Sequence, residues 1–349
     1  MKYLQSIALG LIACTSIFAQ EETTTENKWS SNRPDGHAPI GVMADHVHHK
    51  GEFMMSYRFM NMGMNKLKQE DNNISNTDAL NNYMVVPENM SMNMHMLGAM
   101  YAPSDKITLM AMANYIENDM NLQMKMMGSG MPMMTKDFST QSGGFGDVSL
   151  SALYSVFNKN RKSLHTQLGV SIPTGSIEEK DVTPMSMNNE IQLPYPMQLG
   201  TGSWGIKAGV TYLWQNNIHS FGTQVNGHFN LNENDQDFTF GNQYNATTWA
   251  AIKANNWFSA SLRLNAQLIE EIDGASALLN PMMVTTADTM NSGGFFAHYG
   301  FGINLLKPNG FLKGMRLGAE VLLPVFQKVN GIQLDRSNSV TLGLQYAFH

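Results

Sequence analysis

The stretch Phe258-Ser259-Ala260-Ser261-Leu262-Arg263-Leu264-Asn265-Ala266-Gln267-Leu268 decides the fold. Phe258, Ala260, Leu262, Leu264, Ala266 and Leu268 share one face, and Ser259, Ser261, Arg263, Asn265 and Gln267 share the other. Successive side chains of a strand point to opposite sides, so this period-two pattern is a strand with one apolar and one polar face. Its length is about that of a tilted strand crossing a bilayer, roughly 9–11 residues.

The same alternation recurs along the chain. Val148, Leu150, Ala152, Tyr154 and Val156 oppose Asp147, Ser149, Ser151 and Ser155. Trp204, Ile206, Ala208, Val210, Tyr212 and Trp214 oppose Ser203, Gly205, Lys207 and Thr211. Twelve such strands are predicted, at 51–62, 90–101, 107–118, 145–157, 164–172, 203–214, 219–230, 245–254, 257–269, 294–306, 314–325 and 338–348. Short connections alternate with long ones near 63–89, 119–144, 173–202, 231–244, 270–293 and 326–337. Short periplasmic turns and long external loops are the pattern of an outer-membrane barrel. The expected fold is therefore all-β: a transmembrane, antiparallel, up-and-down β-barrel of about twelve strands. The competing soluble β-sandwich lacks such regular long–short alternation. Tyr101, Tyr115, Tyr154, Trp204, Trp214, Trp257 and Phe348, near strand ends, suit interfacial girdles.

Composition agrees. Of 349 residues, 14% are charged and 43% hydrophobic, and no run of 18 apolar residues occurs. That excludes a helical membrane protein. A net charge of −6 argues against a nucleic-acid partner, which needs concentrated basic surface. Residues 1–19 read as a signal peptide, with Lys2, an apolar Ser6–Phe18 run and Ala19 as cleavage point. The single cysteine, Cys14, lies within it, so the mature chain carries no thiol. Leu11-Ile12-Ala13-Cys14 alternatively fits a lipoprotein box, in which Cys14 is lipidated. Residues 20–50 read as an irregular N-terminal segment, periplasmic or a plug, and 51–349 as the barrel.

Gly144-Phe145-Gly146-Asp147-Val148 leads into a strand, Ile172-Pro173-Thr174-Gly175 ends one, and His37-Ala38-Pro39-Ile40-Gly41-Val42-Met43 precedes the first. Together these resemble outer-membrane transporters of the "MetA-pathway of phenol degradation"-like type. The resemblance implies a transport barrel, a hydrophobic or aromatic substrate and no catalytic residues.

Twenty-nine methionines stand out. Thioethers are soft ligands suited to Cu(I) or Ag(I). Met60, Met62, Met64, Met110 and Met112 are expected to point inward, while Met124, Met126, Met127, Met131, Met133 and Met134 form clusters in an outer loop. Met92, Met94, Met96 and Met100 oppose Ser91, Asn93 and His95 and read as lipid-facing. The alternatives to metal contact are apolar filling and oxidant scavenging. In Asp45-His46-Val47-His48-His49, His46, His48 and His49 are nitrogen-ligand candidates at the periplasmic mouth; otherwise they are a polar lead-in. Glu52, Arg58, Asp147, Lys207, Arg263, His298, Arg316 and Glu320 are expected to face the lumen.

No phosphate loop, nucleophile elbow or zinc-protease helix is present. The expected function is a non-enzymatic conduit for a small solute, handling Cu(I) or Ag(I) in its sharper form and requiring no resident cofactor. The alternatives are uptake of a hydrophobic or aromatic compound, a barrel-embedded lipid hydrolase, and a structural surface barrel.

Overall fold

The computed structural model describes residues 28–126 and 134–348. The signal-peptide and Cys14 expectations therefore lie outside the described residues, as do Met127, Met131 and Met133. Thirteen strand segments build the wall. They are β1 (Phe53–Gln69), β2 (Val85–Ser104), β3 (Ile107–Met126), β4 (Met134–Phe145), β5 (Val148–Lys159), β6 (Lys162–Ile172) and β7 (Gly205–Gln215). β8 (His219–Asn230), β9 (Gln243–Lys253), β10 (Phe258–Ile269), β11 (Gly294–Leu306), β12 (Arg316–Val329) and β13 (Ile332–Phe348) follow.

Each segment pairs antiparallel with its sequence neighbour, except that β4 and β5 form one broken stave, both pairing with β3. β1 pairs with β13 from Phe53↔Phe348 to Gln69↔Ile332 and closes twelve staves into a barrel. Closure removes the free edges across the bilayer, as backbone groups inside lipid require, while β4 pairs on one side only, with β3. The short connections gather at one end. Between β5 and β6, Asn160 and Arg161 take φ of +50° and +58° and connect Lys159↔Lys162. Two successive left-handed residues match the twist of a tight hairpin.

The alternation sorts as expected at the membrane. Leu97, Leu109, Leu168, Val210, Leu262, Leu264, Phe301 and Leu342 are exposed on the outer wall. Ser151, His165, Thr211, Gln224, Arg263 and Glu320 are buried inside. Tyr101, Tyr154, Trp204 and Trp257 face outward, about half exposed.

Two expectations need correction. First, much of 63–89, 119–144 and 326–337 is strand. β1, β2, β3 and β13 run on well past the lipid-facing alternation, and β4 continues the wall beside β3. Hydropathy alternation records lipid on one side. Above the bilayer the outer face meets water while Leu67, Met90, Met120, Leu122 and Met124 pack inside, so the ladder persists while the lipid-facing signature is lost. Second, Met96 and Met100 are buried while Leu97 and Tyr101 are exposed, so the methionine face of β2 points inward. Met92↔Met62 and Met94↔Met60 fix the same side for the others. Hydropathy misassigned them because methionine is apolar yet lines an interior as readily as a lipid face.

The stave breaks at Gly146-Asp147. Asp147, on the same side as the buried Ser149, has its carboxylate taken up by Gly175 N (3.0 Å), Thr201 N (2.9 Å) and Thr201 Oγ1 (2.7 Å), all of which donate to it. Thr174 Oγ1 donates to Gly146 O and accepts from Val148 N. The two short motifs thus meet and fasten the long connection 173–204 to the broken stave. Losing a charged acceptor of three bonds costs on the order of 2–4 kcal/mol locally. Asp147→Ala is expected to speed limited proteolysis within 176–203 about tenfold with the barrel intact; an unchanged cleavage rate would refute the pinning role.

Candidate functional site

Residues 28–52 do not lie beneath the barrel. They rise from the short-turn end, bend at Pro39–Met43 and return, filling the lower lumen. Trp29 N donates to Asn158 Oδ1, and Ser30 exchanges bonds with the Gln215 amide. Further up, Ser220 and Ser259 donate to Asp35 O and Pro34 O. At the bend Arg58 donates to Ile40 O (3.0 Å), and Gln224 donates to Met43 O (2.9 Å). On the descent His165 Nε2 lies 2.9 Å from Ala44 O, and Thr108 accepts from His48 N. An irregular segment inside a barrel has no ladder of its own, so the inward side chains of the wall supply its partners.

Three charges hold it hardest. Arg316 Nη1 and Nη2 donate to the carbonyls of Pro34, Arg33 and Ser31 at 2.8–3.0 Å. Arg263 Nη1 lies 3.2 Å from both Glu320 oxygens, and Glu320 Oε2 accepts from Gly41 N at 2.8 Å. No side chain fits at Gly41: a Cβ there would meet the Glu320 carboxylate and the Arg263 guanidinium. Apolar packing adds to this. Trp29, Ala38 and Val42 pack with Leu213 and Trp249, and Ala44 packs with Met54, Met100, Met110 and Leu153.

Above the bend lies a cavity of about 430 Å³, floored by Gly41, Val42 and Met43. One wall carries Met96, Met110 and Met112. Asn114 stands beside Met96 on that wall, and the other walls carry Gln167, Asn226 and Asn245, with Lys207, His228 and Arg263. The outer end is covered on the methionine side by an apolar cluster that includes Leu67, Leu80, Val86, Met90, Met120, Met124, Leu193 and Met197.

The predicted residues thus separate. Arg58, Arg263, Arg316 and Glu320 are buried in the lumen, and Lys207 and Arg263 reach the cavity. His298 lies on the inner side of β11, its Nδ1 buried without a partner. Glu52 precedes β1 at the mouth, where it accepts from His49 N (2.9 Å) and meets His48 Nδ1 (3.2 Å). Met60, Met62, Met64, Met110 and Met112 point inward, on faces shared with Arg58 and Thr108. Met124 is buried in the outer cluster. Met126 pairs with Met134, both exposed at the strand tips. His49 is exposed beside Asp105, whereas His46 is fully buried and His48 nearly so.

His37 was not foreseen as a partner of the others. Its ring centroid is 4.0 Å from that of His46, which is 4.7 Å from that of His48. Asp45 bonds His46 Nδ1 (2.9 Å) and Ala38 N (2.9 Å). Burial and the Arg316 charge hold His37 well below the ordinary imidazole value, and burial lowers His48 against the pull of Glu52. Burial opposes the Asp45 carboxylate, but the His46 ring beside it holds its carboxyl well below the usual range. Burial likewise opposes Glu52, which the His48 ring and His49 amide bring down to about 2. The only sequence signal for His37 was its place at the head of the quoted His37–Met43 run.

No curated protein matches the sequence. Among solved structures, an outer membrane channel from Pseudomonas putida F1 shares the fold. Its TM-score is 0.60 at 13% identity, covering 88% of this chain and 100% of that one. The transport unit of the autotransporter AIDA-I from Escherichia coli superposes at a TM-score of 0.49 and 11% identity, covering 88% and 94%. The protein is a bacterial outer-membrane barrel. The family described as "Putative MetA-pathway of phenol degradation" matches residues 104–314, a span that holds both motifs at the broken stave. That match covers more than half of the 349 residues, and the chain belongs to this family.

Proposed function

We propose that the barrel is a plugged, non-enzymatic conduit for a small solute that is mostly apolar and carries a polar group, with a phenol-like aromatic as the best fit. The observation that carries this reading is the two-sided cavity of about 430 Å³. Its size suits one small molecule. The methionine wall offers an aromatic ring an apolar, adaptable surface. The facing amides offer donors and acceptors to a hydroxyl. The family's description, which names phenol degradation, agrees with that chemistry.

A second reading rests on the register. Met64↔Met90, Met62↔Met92 and Met60↔Met94 put thioethers side by side up one wall, the arrangement a soft cation such as Cu(I) or Ag(I) favours. Leucine separates the two, because it keeps volume and apolarity but removes sulfur. With Met60, Met94, Met96 and Met112 all changed to Leu, uptake of p-cresol into liposomes is expected to stay within about twofold. Changing Met96 and Met112 to Thr is expected to lower it about fivefold or more. No p-cresol uptake by the wild-type barrel, together with stoichiometric Ag(I) binding that the Leu variant loses, would overturn the aromatic reading in favour of the cation.

A further inference from the structure

We propose that the plug holds a divalent transition-metal ion of the imidazole-preferring class, such as Zn²⁺, Ni²⁺ or Cu²⁺, between His37, Asp45 and His46, with His48 alongside. The site is separate from the solute cavity and does not depend on the conduit reading.

One ligand atom from each of His37, Asp45 and His46 lies within 4.8 Å of the others. Two atoms on one zinc ion stand about 3.3 Å apart, so side-chain shifts of about 1 Å close the set. The second observation is chemical. His46 Nδ1 faces Asp45 Oδ1, His48 Nδ1 faces Glu52 Oε2, and His37 Nδ1 faces Gln345 Oε1. Gln345 and Glu52 thus orient the His37 and His48 rings and leave Nε2 as their lone-pair nitrogen, whereas Asp45, as a ligand, meets the ion on the Nδ1 side of His46. That is how metal-ligating histidines are held by their outer partners. Yet Nε2 of His48 is buried with no hydrogen-bond partner. A buried polar atom left unpaired is costly, and a cation is the partner such a lone pair accepts.

The third observation is room. A small space of about 20 Å³ borders His37, His48 and Glu52 on the side away from Asp45 and His46, which do not line it. That holds one ion or one water. Arg316 also borders this space, but its guanidinium is turned to three plug carbonyls. Asp45 and Glu52 supply two negative charges toward a dication, partly offset by the buried Arg316 and Arg58 guanidinium groups. Met54 is the nearby thioether. With imidazoles and carboxylates predominating, the donor set favours borderline metals over Cu(I).

The consequence is structural. Asp45 and His46 sit on the descending limb and His37 on the ascending one, so a shared ion would clasp the plug across its bend. The test uses the mature barrel, purified without an affinity tag in detergent and stripped with chelator. Expected results are retention of one equivalent of Zn²⁺ and, with Co²⁺, a visible absorption spectrum of tetrahedral type. Asp45→Asn is expected to weaken Zn²⁺ binding about 10–100-fold. His37→Gln with His46→Gln should abolish it while heat-modifiable gel migration shows the barrel folded; His49→Ala should change nothing. Absence of stoichiometric Zn²⁺ in the folded wild type, or undiminished retention in the folded double variant, would overturn the site.

Discussion

Glu320→Ala is expected to free the bend of the plug and raise hydrogen exchange of its amides, residues 36–46, about 100-fold or more. Glu320 is 2% exposed and holds two things at once, the Arg263 guanidinium and the Gly41 amide. Removing one member of a buried ion pair costs on the order of 3–5 kcal/mol, because the remaining charge is stranded. Here the stranded group is Arg263, which keeps only Thr247 Oγ1 and Asn265 Oδ1. Water will enter to solvate it, and the floor of the cavity will loosen. About 1.4 kcal/mol is a factor of ten in a local opening equilibrium, so even the lower figure gives about 100-fold. The barrel strands should exchange as before, since β12 keeps both neighbours. Gly41→Ala should act in the same direction from the other side, because its Cβ needs the space of the same carboxylate. Combining it with Glu320→Ala should then give less than the sum of the two effects. Unchanged exchange at 36–46 in Glu320→Ala would mean that the knot is not what seats the bend.

These three residues also show what the sequence could disclose. Arg263 and Glu320 sit at polar positions of strongly alternating strands, and a charge there has only the lumen to face. Their placement inside follows from parity alone. Their partner does not. Gly41 lies in an irregular run with no period, and its amide meets Glu320 across 279 residues. No local pattern encodes such a contact. Methionine marks the other boundary of legibility. On β1 the apolar face was already occupied by Phe53, Tyr57 and Phe59, so Met60 had to point inward. On β2 only Ser91, Asn93 and His95 competed with Met92, Met94 and Met96, and hydropathy ranked the pairs the wrong way round. What settles the side is pairing: Met96 stands opposite Arg58, whose side was already fixed. The histidine cluster was half legible. His46 and His48 lie within one short stretch, but His37 joins them only because the chain folds back at Pro39–Met43.

That fold-back gives the plug two separable anchors, and Arg316→Ala is expected to release the lower one selectively. Arg316 is 2% exposed and serves the carbonyls of Ser31, Arg33 and Pro34. Each bond from a charged donor contributes about 1.5–3 kcal/mol, and all three carbonyls lose it together. Gln215 and Asn158 still hold Ser30 and Trp29, and the Arg33 guanidinium still donates to the carbonyls of Asn216 and Asn217, so the arm is not cut free, but among the described residues no other charge of the wall reaches its middle carbonyls. Exchange at residues 30–36 should rise about 100-fold, and a protease confined to the short-turn side should cut there. The bend should respond little. Arg316 and Glu320 are four residues apart on one strand, about 13 Å, beyond the range at which substitutions usually couple. Should the bend and the arm instead loosen together in both Arg316→Ala and Glu320→Ala, the plug moves as one rigid unit. In that case either contact gates the lumen, and a solute reaching the cavity from above must displace the whole segment to pass.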